Sequence, residues 1–259
     1  MAGLHETIGS HVAPTDMPAR LPDLDAERTA FFFDFDGVIA DIAPTPDAVE
    51  VPEDRARVIE ALREASGGAF ALVSGREIDD VLSHLTFYSG AASGGHGAET
   101  RWPDGTREGA SADASSVEAV QREMRAFAAA NEGLLYEGKR LGGVLHYRAA
   151  PQLEAMVREK VEALLADHSA LELQVAKMAF EVKPAGFSKG SVIERFMAHE
   201  PFAGRRPLYV GDDVTDEAAF AVVNAMDGVS VKVGEGETVA RYRVETSDEL
   251  FVWLAGVAG

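Results

Sequence analysis

The chain contains no cysteine, comparatively few basic residues and no long apolar stretch. The absence of cysteine excludes disulfides, thiolate zinc sites and a cysteine nucleophile, and it fits a reducing compartment. Lysine and arginine number 24 against 43 aspartates and glutamates, and the resulting net charge of −19 argues against nucleic acid or an anionic membrane as a partner. No apolar run approaches the length of a transmembrane helix. We therefore expect a cytoplasmic protein.

The composition of the first residues and the absence of two glycine-rich motifs argue against further classes of protein. Residues 1–22 are mostly polar and lack the hydrophobic segment of a signal peptide, so we expect a flexible N-terminal leader there. Neither the Walker pattern Gly-x-x-x-x-Gly-Lys-Ser/Thr nor Gly-x-Gly-x-x-Gly occurs in the chain. Nucleotide-binding folds of those two kinds are therefore not supported.

Two acidic clusters are present, each at the end of an apolar run, at Phe31–Gly37 and Leu208–Asp216. A continuously apolar, β-prone run that ends at a glycine turn is typical of a buried strand in a parallel sheet. Ligand sites in open α/β sheets lie at the carboxyl ends of strands. Carboxylates crowded there require a cation, and oxygen ligands without histidine or cysteine nearby favour Mg²⁺. The candidate metal ligands are Asp34, Asp36, Asp212 and Asp213.

Strand and helix patterns alternate in the first and last parts of the chain. Helical periodicity at 52–65 is followed by a short apolar strand at 70–73 and a second helical pattern at 78–85. The alternation resumes at Ser188 and continues to the C-terminus. This order predicts parallel crossovers and a doubly wound, Rossmann-like α/β core formed by residues 23–101 and 184–259.

Residues 102–183 have a different pattern, with two amphipathic helices and strands that alternate strictly between apolar and polar residues. The alternating strands lie at 134–139, 144–148 and 178–183. Such alternation indicates a sheet with one packed face and one open face, and two helices can cover the packed face. We therefore predict an inserted α+β cap, or lid, whose polar face is directed at the carboxylates.

The spacing of Asp34 and Asp36 suits phosphoryl transfer. One carboxylate can attack phosphorus and form an aspartyl-phosphate, while the other protonates the leaving oxygen and later activates water. The alternative is a pair of turn-forming aspartates, because aspartate and glycine are common after strands. The second acidic cluster and the basic residues elsewhere in the chain favour catalysis.

Ser74 and Lys189 are candidates for the phosphate end of the site. Ser74 follows a buried strand and could hold a phosphate oxygen, or it could simply cap the next helix. Lys189 lies in the first turn of a predicted helix, where a cation is unfavourable unless an anion is nearby. Lys183 competes for the same role. Asp216 and Glu217 could bind metal or only complement the dipole of the following helix.

Further candidates lie in the lid and at the edge of the core. Glu137 and Lys139 share one strand face and could bind sugar hydroxyls, although most charged strand residues are merely solvated. The complete set of predicted substrate-binding residues is Ser74, Gly75, Arg76, His96, Glu137, Lys139, Arg148, Glu181 and Lys183.

The residues together resemble the haloacid dehalogenase (HAD) superfamily of phosphatases. Its four elements occur in order as Asp34–Gly37, Ser74, Lys189 and Gly211–Asp213 with Asp216. The insertion between the second and third elements is similar to the α/β lid class of that superfamily.

More narrowly, the chain is similar to the trehalose-6-phosphate phosphatases. The similarity is carried by the segments 73–76, 95–99, 137–139, 146–148, 180–184 and 211–217. The resemblance implies that Asp34 is the nucleophile, that Asp36 is the acid/base and a backbone magnesium ligand, and that Asp212 is a further ligand. It also implies that Ser74 and Lys189 hold the phosphate and that Glu137, Lys139 and Glu181 bind the disaccharide.

From the residues and this resemblance we expect a monomeric, Mg²⁺-dependent phosphomonoesterase that hydrolyses a small phosphosugar, trehalose 6-phosphate, through an aspartyl-phosphate. Three alternatives stay open: a phosphatase for another sugar phosphate, a non-catalytic phosphosugar-binding regulator on the same fold, and a phosphotransferase or mutase.

Overall fold

Two β-sheets organise the fold of the computed structural model, which describes residues 20–42, 49–110 and 113–258. The predicted leader falls almost entirely on residues 1–19, outside the described residues. The strands are β1 (Thr29–Phe33), β2 (Phe70–Val73), β3 (Ala91–Gly94), β4 (Glu99–Arg101), β5 (Arg107–Gly109), β6 (Leu135–Lys139), β7 (Gly142–His146), β8 (Leu171–Ala176), β9 (Ala179–Pro184), β10 (Arg206–Gly211), β11 (Val229–Val233) and β12 (Tyr242–Val244). The helices are α1 (Glu53–Ala65), α2 (Ile78–His84), α3 (Ala114–Ala130), α4 (Glu154–Leu165), α5 (Lys189–Met197), α6 (Glu217–Ala225) and α7 (Ser247–Ala258).

The larger sheet has eight strands in the order β12-β11-β10-β1-β2-β3-β4-β5. The strands from β12 to β3 run parallel, and β4 and β5 extend the edge in antiparallel pairing. All five residues of β1 are buried, because helices cover both faces of the sheet. Phe31 and Phe33 pack with α1, α2 and α7, whereas Phe32 packs with α5 and α6 on the opposite face. The predicted doubly wound α/β core is confirmed.

The smaller sheet is antiparallel, with strand order β6-β7-β9-β8. Helices α3 and α4 pack on one face through Val120, Met124 and Val161, which meet Phe180 and Val182 of β9. This is the arrangement expected for two amphipathic helices covering alternating strands.

One boundary of the predicted insertion was wrong. Residues 107–109, which we assigned to the lid, form β5 and pair with β4 in the larger sheet. The polar face of β9 is directed at the larger sheet, as predicted, and Glu181 and Lys183 are both buried there. The division into a core and a movable lid at residues 102 and 183 stays a prediction.

In the described part of the chain, every helix is too short or too polar to traverse a lipid bilayer.

Candidate active site

The carboxyl ends of β1 and β10 lie side by side and bring the two acidic clusters together. Phe33 is in register with Val210, and the Asp34 N–H donates to the Val210 carbonyl at 2.9 Å. As a result, carboxylate oxygens of Asp34, Asp212 and Asp216 lie within 4.8 Å of one another. The predicted meeting of residues 178 positions apart in the chain is confirmed for Asp34 and Asp212.

Asp34 is buried and held in a fixed orientation at the end of β1. Its Oδ1 accepts the N–H of Phe35 at 2.7 Å, and its Oδ2 lies 2.7 Å from Nζ of Lys189. Burial raises the pKa of Asp34 well above its ordinary value, and the nearby Asp216 and Asp212 add to this although Lys189 opposes it. A positive charge beside Asp34 would therefore favour its ionised form.

Lys189 is buried between two carboxylates, Asp34 and Asp216. Its Nζ donates to Asp216 Oδ1 at 2.6 Å, and the hydroxyl of the fully buried Tyr209 donates to the same oxygen at 2.5 Å. Asp216 Oδ2 accepts the N–H groups of Asp212 and Asp213 at 2.8 and 2.9 Å. Burial alone would raise the pKa of Asp216, but Lys189 and these hydrogen bonds hold it below its ordinary value.

Sequence reasoning did not include Tyr209 among the functional residues. A tyrosine within an apolar strand was the available signal, because a buried tyrosine hydroxyl usually needs a hydrogen-bond partner. The partner, Asp216, orients both Lys189 and the backbone that carries Asp212. Tyr209 therefore supports the site without lining it.

Asp212 packs against the turn that follows β1, at Gly37. Gly37 has a φ of +71°, and a Cβ built on it would lie 2.2 Å from Asp212 Oδ2. Burial raises the pKa of Asp212 to about 7, with Asp216 the next largest contribution. Nζ of the buried Lys232 donates to the Asp212 backbone carbonyl.

The group of buried carboxylates fits a hard divalent cation. The converging side chains offer only oxygen, and burial together with like charges disfavours the ionised carboxyls of Asp34 and Asp212 unless a positive charge compensates. Asp216 is the member least suited to bind metal, because four protein donors already occupy its two oxygens. Among the residues that the structure describes, the carboxylates of Asp36 and Asp213, both predicted metal ligands, lie outside the converging group.

Asp36 is paired with Arg76 in this structure. Nε of Arg76 lies 2.7 Å from Asp36 Oδ2, and its Nη2 lies 2.8 Å from Oδ1, which makes the pair bidentate. Arg76 also contacts Asp80 at 3.0 Å and lies over the ring of Phe35. The candidate acid/base is thus oriented by a residue from the neighbouring strand end.

A cavity of about 350 Å³ separates the strand ends from the smaller sheet. Its core side is formed by Asp34, Asp36, Gly75, Arg76, His96, Lys189, Asp212 and Asp213, and its lid side by Glu137, Lys139, His146, Arg148, Lys177 and Glu181. The predicted orientation of polar lid residues toward the carboxylates agrees with this lining.

Two predicted substrate-binding residues are not among those lining the cavity. Ser74 is buried, and its Oγ accepts the N–H of Arg76 at 3.1 Å within the turn after β2, whereas the N-cap of α2 is Glu77, so Ser74 does not cap that helix. Lys183 donates to Glu172 and to the Phe187 carbonyl, on the same face of β9 as Glu181 but outside the cavity lining. It therefore does not compete with Lys189 for the nucleophile.

The lid side of the cavity carries a connected group of charges. Glu137 lies 2.5 Å from Nζ of Lys139 and 2.9 Å from Nε2 of His146. These partners, His146 foremost, lower the pKa of Glu137 to about 2. An ionised acceptor with adjacent donors suits the hydroxyl groups of a sugar.

The chain matches a family model described as Trehalose-phosphatase over residues 32–249. It is 37% identical over 240 residues to the trehalose-6-phosphate phosphatase of Escherichia coli (strain K12), covering 93% of this chain and 90% of that protein. The structure is similar to the trehalose-6-phosphate phosphatase C-terminal domain of C. albicans, with a TM-score of 0.77, 23% identity, and coverage of 93% and 99% of the two chains. A trehalose-6-phosphate phosphatase related protein superimposes with a TM-score of 0.72 at 25% identity, covering 88% and 96%.

Proposed function

The chain belongs to the trehalose-phosphatase family, and from this membership we propose that it hydrolyses trehalose 6-phosphate to trehalose and phosphate with Mg²⁺ as cofactor. The observation that carries the proposal is the cavity, where a buried carboxylate with a lysine partner faces a cluster of sugar-compatible polar groups. Its volume of about 350 Å³ lies within the range of small-molecule sites.

Asp34 is the proposed nucleophile. One of its carboxylate oxygens bonds to phosphorus as the bond between phosphorus and the sugar oxygen breaks, giving an aspartyl-phosphate. Lys189 and the Phe35 N–H hold the carboxylate at the strand end, so little reorganisation is needed before attack.

Asp36 is the proposed acid and base. It passes a proton to the departing sugar oxygen, and its carboxylate then takes a proton from the water that attacks the phosphorylated Asp34 and releases phosphate. Arg76 occupies both Asp36 oxygens in this structure, so this pairing has to loosen when substrate enters. Arg76 lines the cavity and would then be available to the phosphate.

Asp34 and Asp212 would hold the cation through side-chain oxygens, with the Asp36 carbonyl as the further ligand that the family resemblance implies. Bound there, a divalent cation would offset the repulsion between these carboxylates and stabilise charge on the transferring phosphoryl group.

The lid residues are the proposed sugar-binding groups. Glu137, Lys139 and Glu181 line the cavity opposite the carboxylates and offer both acceptors and donors. Closing such a lid excludes water from the phosphorylated intermediate until the sugar has left. The cytoplasmic location and monomeric state stay predictions.

A phosphate-release assay with a panel of sugar phosphates, including glucose 6-phosphate, tests the proposal. We expect magnesium-dependent turnover of trehalose 6-phosphate well above the rest of the panel, and loss of activity in both Asp34→Asn and Asp36→Asn. Asp79→Asn is the matched control, because Asp79 is exposed and pairs with Arg107 away from the cavity.

Three outcomes would contradict the proposal. Equal rates across the panel would remove the trehalose assignment. Tight calorimetric binding of trehalose 6-phosphate without turnover would favour a regulator, and transfer of phosphate to a second sugar would favour a phosphotransferase.

A further inference from the structure

We propose that His96 determines substrate specificity by coupling sugar recognition in the lid to the phosphate end of the site. This inference rests on the proposed function, since it assumes that Glu181 contacts the sugar. In this inference His96 not only lines the cavity but also connects its lid side to its core side.

The backbone at His96 is held in an unusual conformation. His96 lies in the short turn Gly95–Gly97 after β3, with φ 55° and ψ 32°, in the left-handed region that side-chain-bearing residues rarely adopt. Its N–H donates to the Ser74 carbonyl at 3.1 Å, which ties the turn to the end of β2. Strained conformations of this kind often occur at functional sites.

The ring of His96 lies directly on Gly75, in the segment that precedes Arg76. A Cβ at Gly75 would lie 2.5 Å from Cε1 of His96, so the ring can occupy this position only because residue 75 has no side chain. Gly75 and Arg76 line the cavity beside Asp36. Movement of the imidazole is therefore transmitted to the segment that positions the proposed acid/base.

The other end of the ring contacts the lid. Nε2 of His96 lies 3.1 Å from Oε2 of Glu181 on β9, and the two side chains are only 8% and 10% exposed. Nδ1 is buried and has no hydrogen-bond partner among the described residues. Within that part of the chain, Glu181 is thus the hydrogen-bond partner of the ring, and the orientation of the ring depends on the position of β9.

A second contact between the sheets lies outside the cavity lining and provides a comparison. The Arg140 N–H, at the hairpin between β6 and β7, donates to Glu77 at 2.7 Å, and the Arg140 guanidinium pairs with Glu99. Arg140 is about half exposed, so this pair is expected to be weak. A sugar bound at Glu181 would hold the Glu181–His96 hydrogen bond in place and so fix the position of Gly75. The binding energy of the sugar would then help to order the reacting centre, which a phosphate ester without a sugar could not do.

The test compares trehalose 6-phosphate with p-nitrophenyl phosphate in the wild type, His96→Asn, Glu181→Gln and the double variant. Asparagine tolerates a positive φ but cannot reach Glu181 as histidine does. We expect the ratio of kcat/KM for trehalose 6-phosphate to that for p-nitrophenyl phosphate to fall about 10- to 100-fold in either single variant. The double variant should fall little further, because both changes break one interaction. In the control Arg140→Gln we expect the ratio to change less than about threefold.

An equal loss of kcat/KM on both esters in His96→Asn would overturn the inference, since it would indicate a general structural or catalytic role. An unchanged ratio, or fully additive losses in the double variant, would overturn it as well. If His96→Asn does not fold, His96→Gly, which also accepts the positive φ, takes its place in the same comparison. A wild-type enzyme without preference for trehalose 6-phosphate would instead contradict the proposed function.

Discussion

Gly37 is the residue whose missing side chain makes room for Asp212. Replacing it with alanine places a methyl group where the Asp212 carboxylate lies, so we expect that carboxylate to move. A displacement of about 1 Å at a reacting site can cost roughly 100-fold in rate, and we expect kcat of Gly37→Ala to fall by about that factor. The positive φ should also lower the free energy of unfolding by about 1 kcal/mol. Steady-state kinetics and urea unfolding measure the two effects.

Gly204 is the matched control for this substitution. It has a φ of +74°, close to the +71° of Gly37, but no atom lies within 4 Å of a Cβ built there. Gly204→Ala should therefore show the same loss of about 1 kcal/mol and retain its activity. Full activity in both variants would show that the position of Asp212 does not depend on Gly37.

Single residues could be predicted where a short motif carries the chemistry. Asp34, Asp212 and Lys189 stand at strand or helix ends, and parallel strands bring such ends to one edge. The role of Asp216 could not be decided from the sequence, where a helix-dipole interpretation was equally available. It became clear only from four donors, one of them Tyr209, that converge on it through tertiary contacts.

Glu181 and Lys183 lie on the same face of strand β9 but have different partners. Glu181 lines the cavity, whereas Lys183 is buried and donates to Glu172 on β8 and to the Phe187 carbonyl. We expect Lys183→Met to lower the free energy of unfolding by about 1–3 kcal/mol, because it removes charge-assisted hydrogen bonds. KM for trehalose 6-phosphate should change less than about threefold, since Lys183 is outside the cavity lining and its amine is occupied by Glu172 and the Phe187 carbonyl.

Lys139→Met provides the contrast on strand β6. Lys139 lines the cavity and pairs with Glu137 at 2.5 Å, so its loss should raise KM about tenfold at a smaller cost in stability. Chemical denaturation gives the free energy of unfolding of both variants, and steady-state kinetics gives their KM. A tenfold rise in KM for Lys183→Met with unchanged stability would return Lys183 to the substrate-binding residues.

Elements with a strong apolar period were predicted more closely than short polar ones. The periodicity at 52–65 corresponds to α1, Glu53–Ala65, and the apolar run at 70–73 corresponds to β2. The three residues of β5 are all exposed and show no alternation of apolar and polar residues. The sequence therefore contains no local pattern that predicts the pairing of β5 with β4. β8, which pairs along the edge of β9, was missed as well.

At the level of the whole molecule, the order of the four elements along the chain was sufficient to predict a doubly wound core with an insertion. The distance between the two sheets was not predictable in this way. The sheets are joined across the gap by long-range contacts such as His96 with Glu181 and Arg140 with Glu77, which have no signature in local sequence. The local sequence pattern therefore predicted the lining of the cavity only in part.

The chain carries a net charge of −19, and the buried Asp34 and Asp216 lie together with Asp212 at the ends of β1 and β10. A cation that binds only the folded protein stabilises it by about 2.7 kcal/mol at a concentration 100 times its Kd. For a chain of 259 residues, this corresponds to a rise in Tm of roughly 5–10 °C. We therefore expect saturating Mg²⁺ to raise Tm by that amount over the protein in a chelator, independently of any substrate.

Replacing the individual acids separates a bound cation from general screening of charge. Asp212→Asn should abolish the rise in Tm, because it removes a buried oxygen from the converging group. Without metal it should be at least as stable as the wild type, since it also relieves repulsion from Asp216. Asp213→Asn removes the same charge from the neighbouring position, outside that group among the described residues, and should keep most of the rise. Scanning calorimetry with and without Mg²⁺ measures all three proteins, and an equal rise in Asp212→Asn and the wild type would rule out a cation held by Asp212.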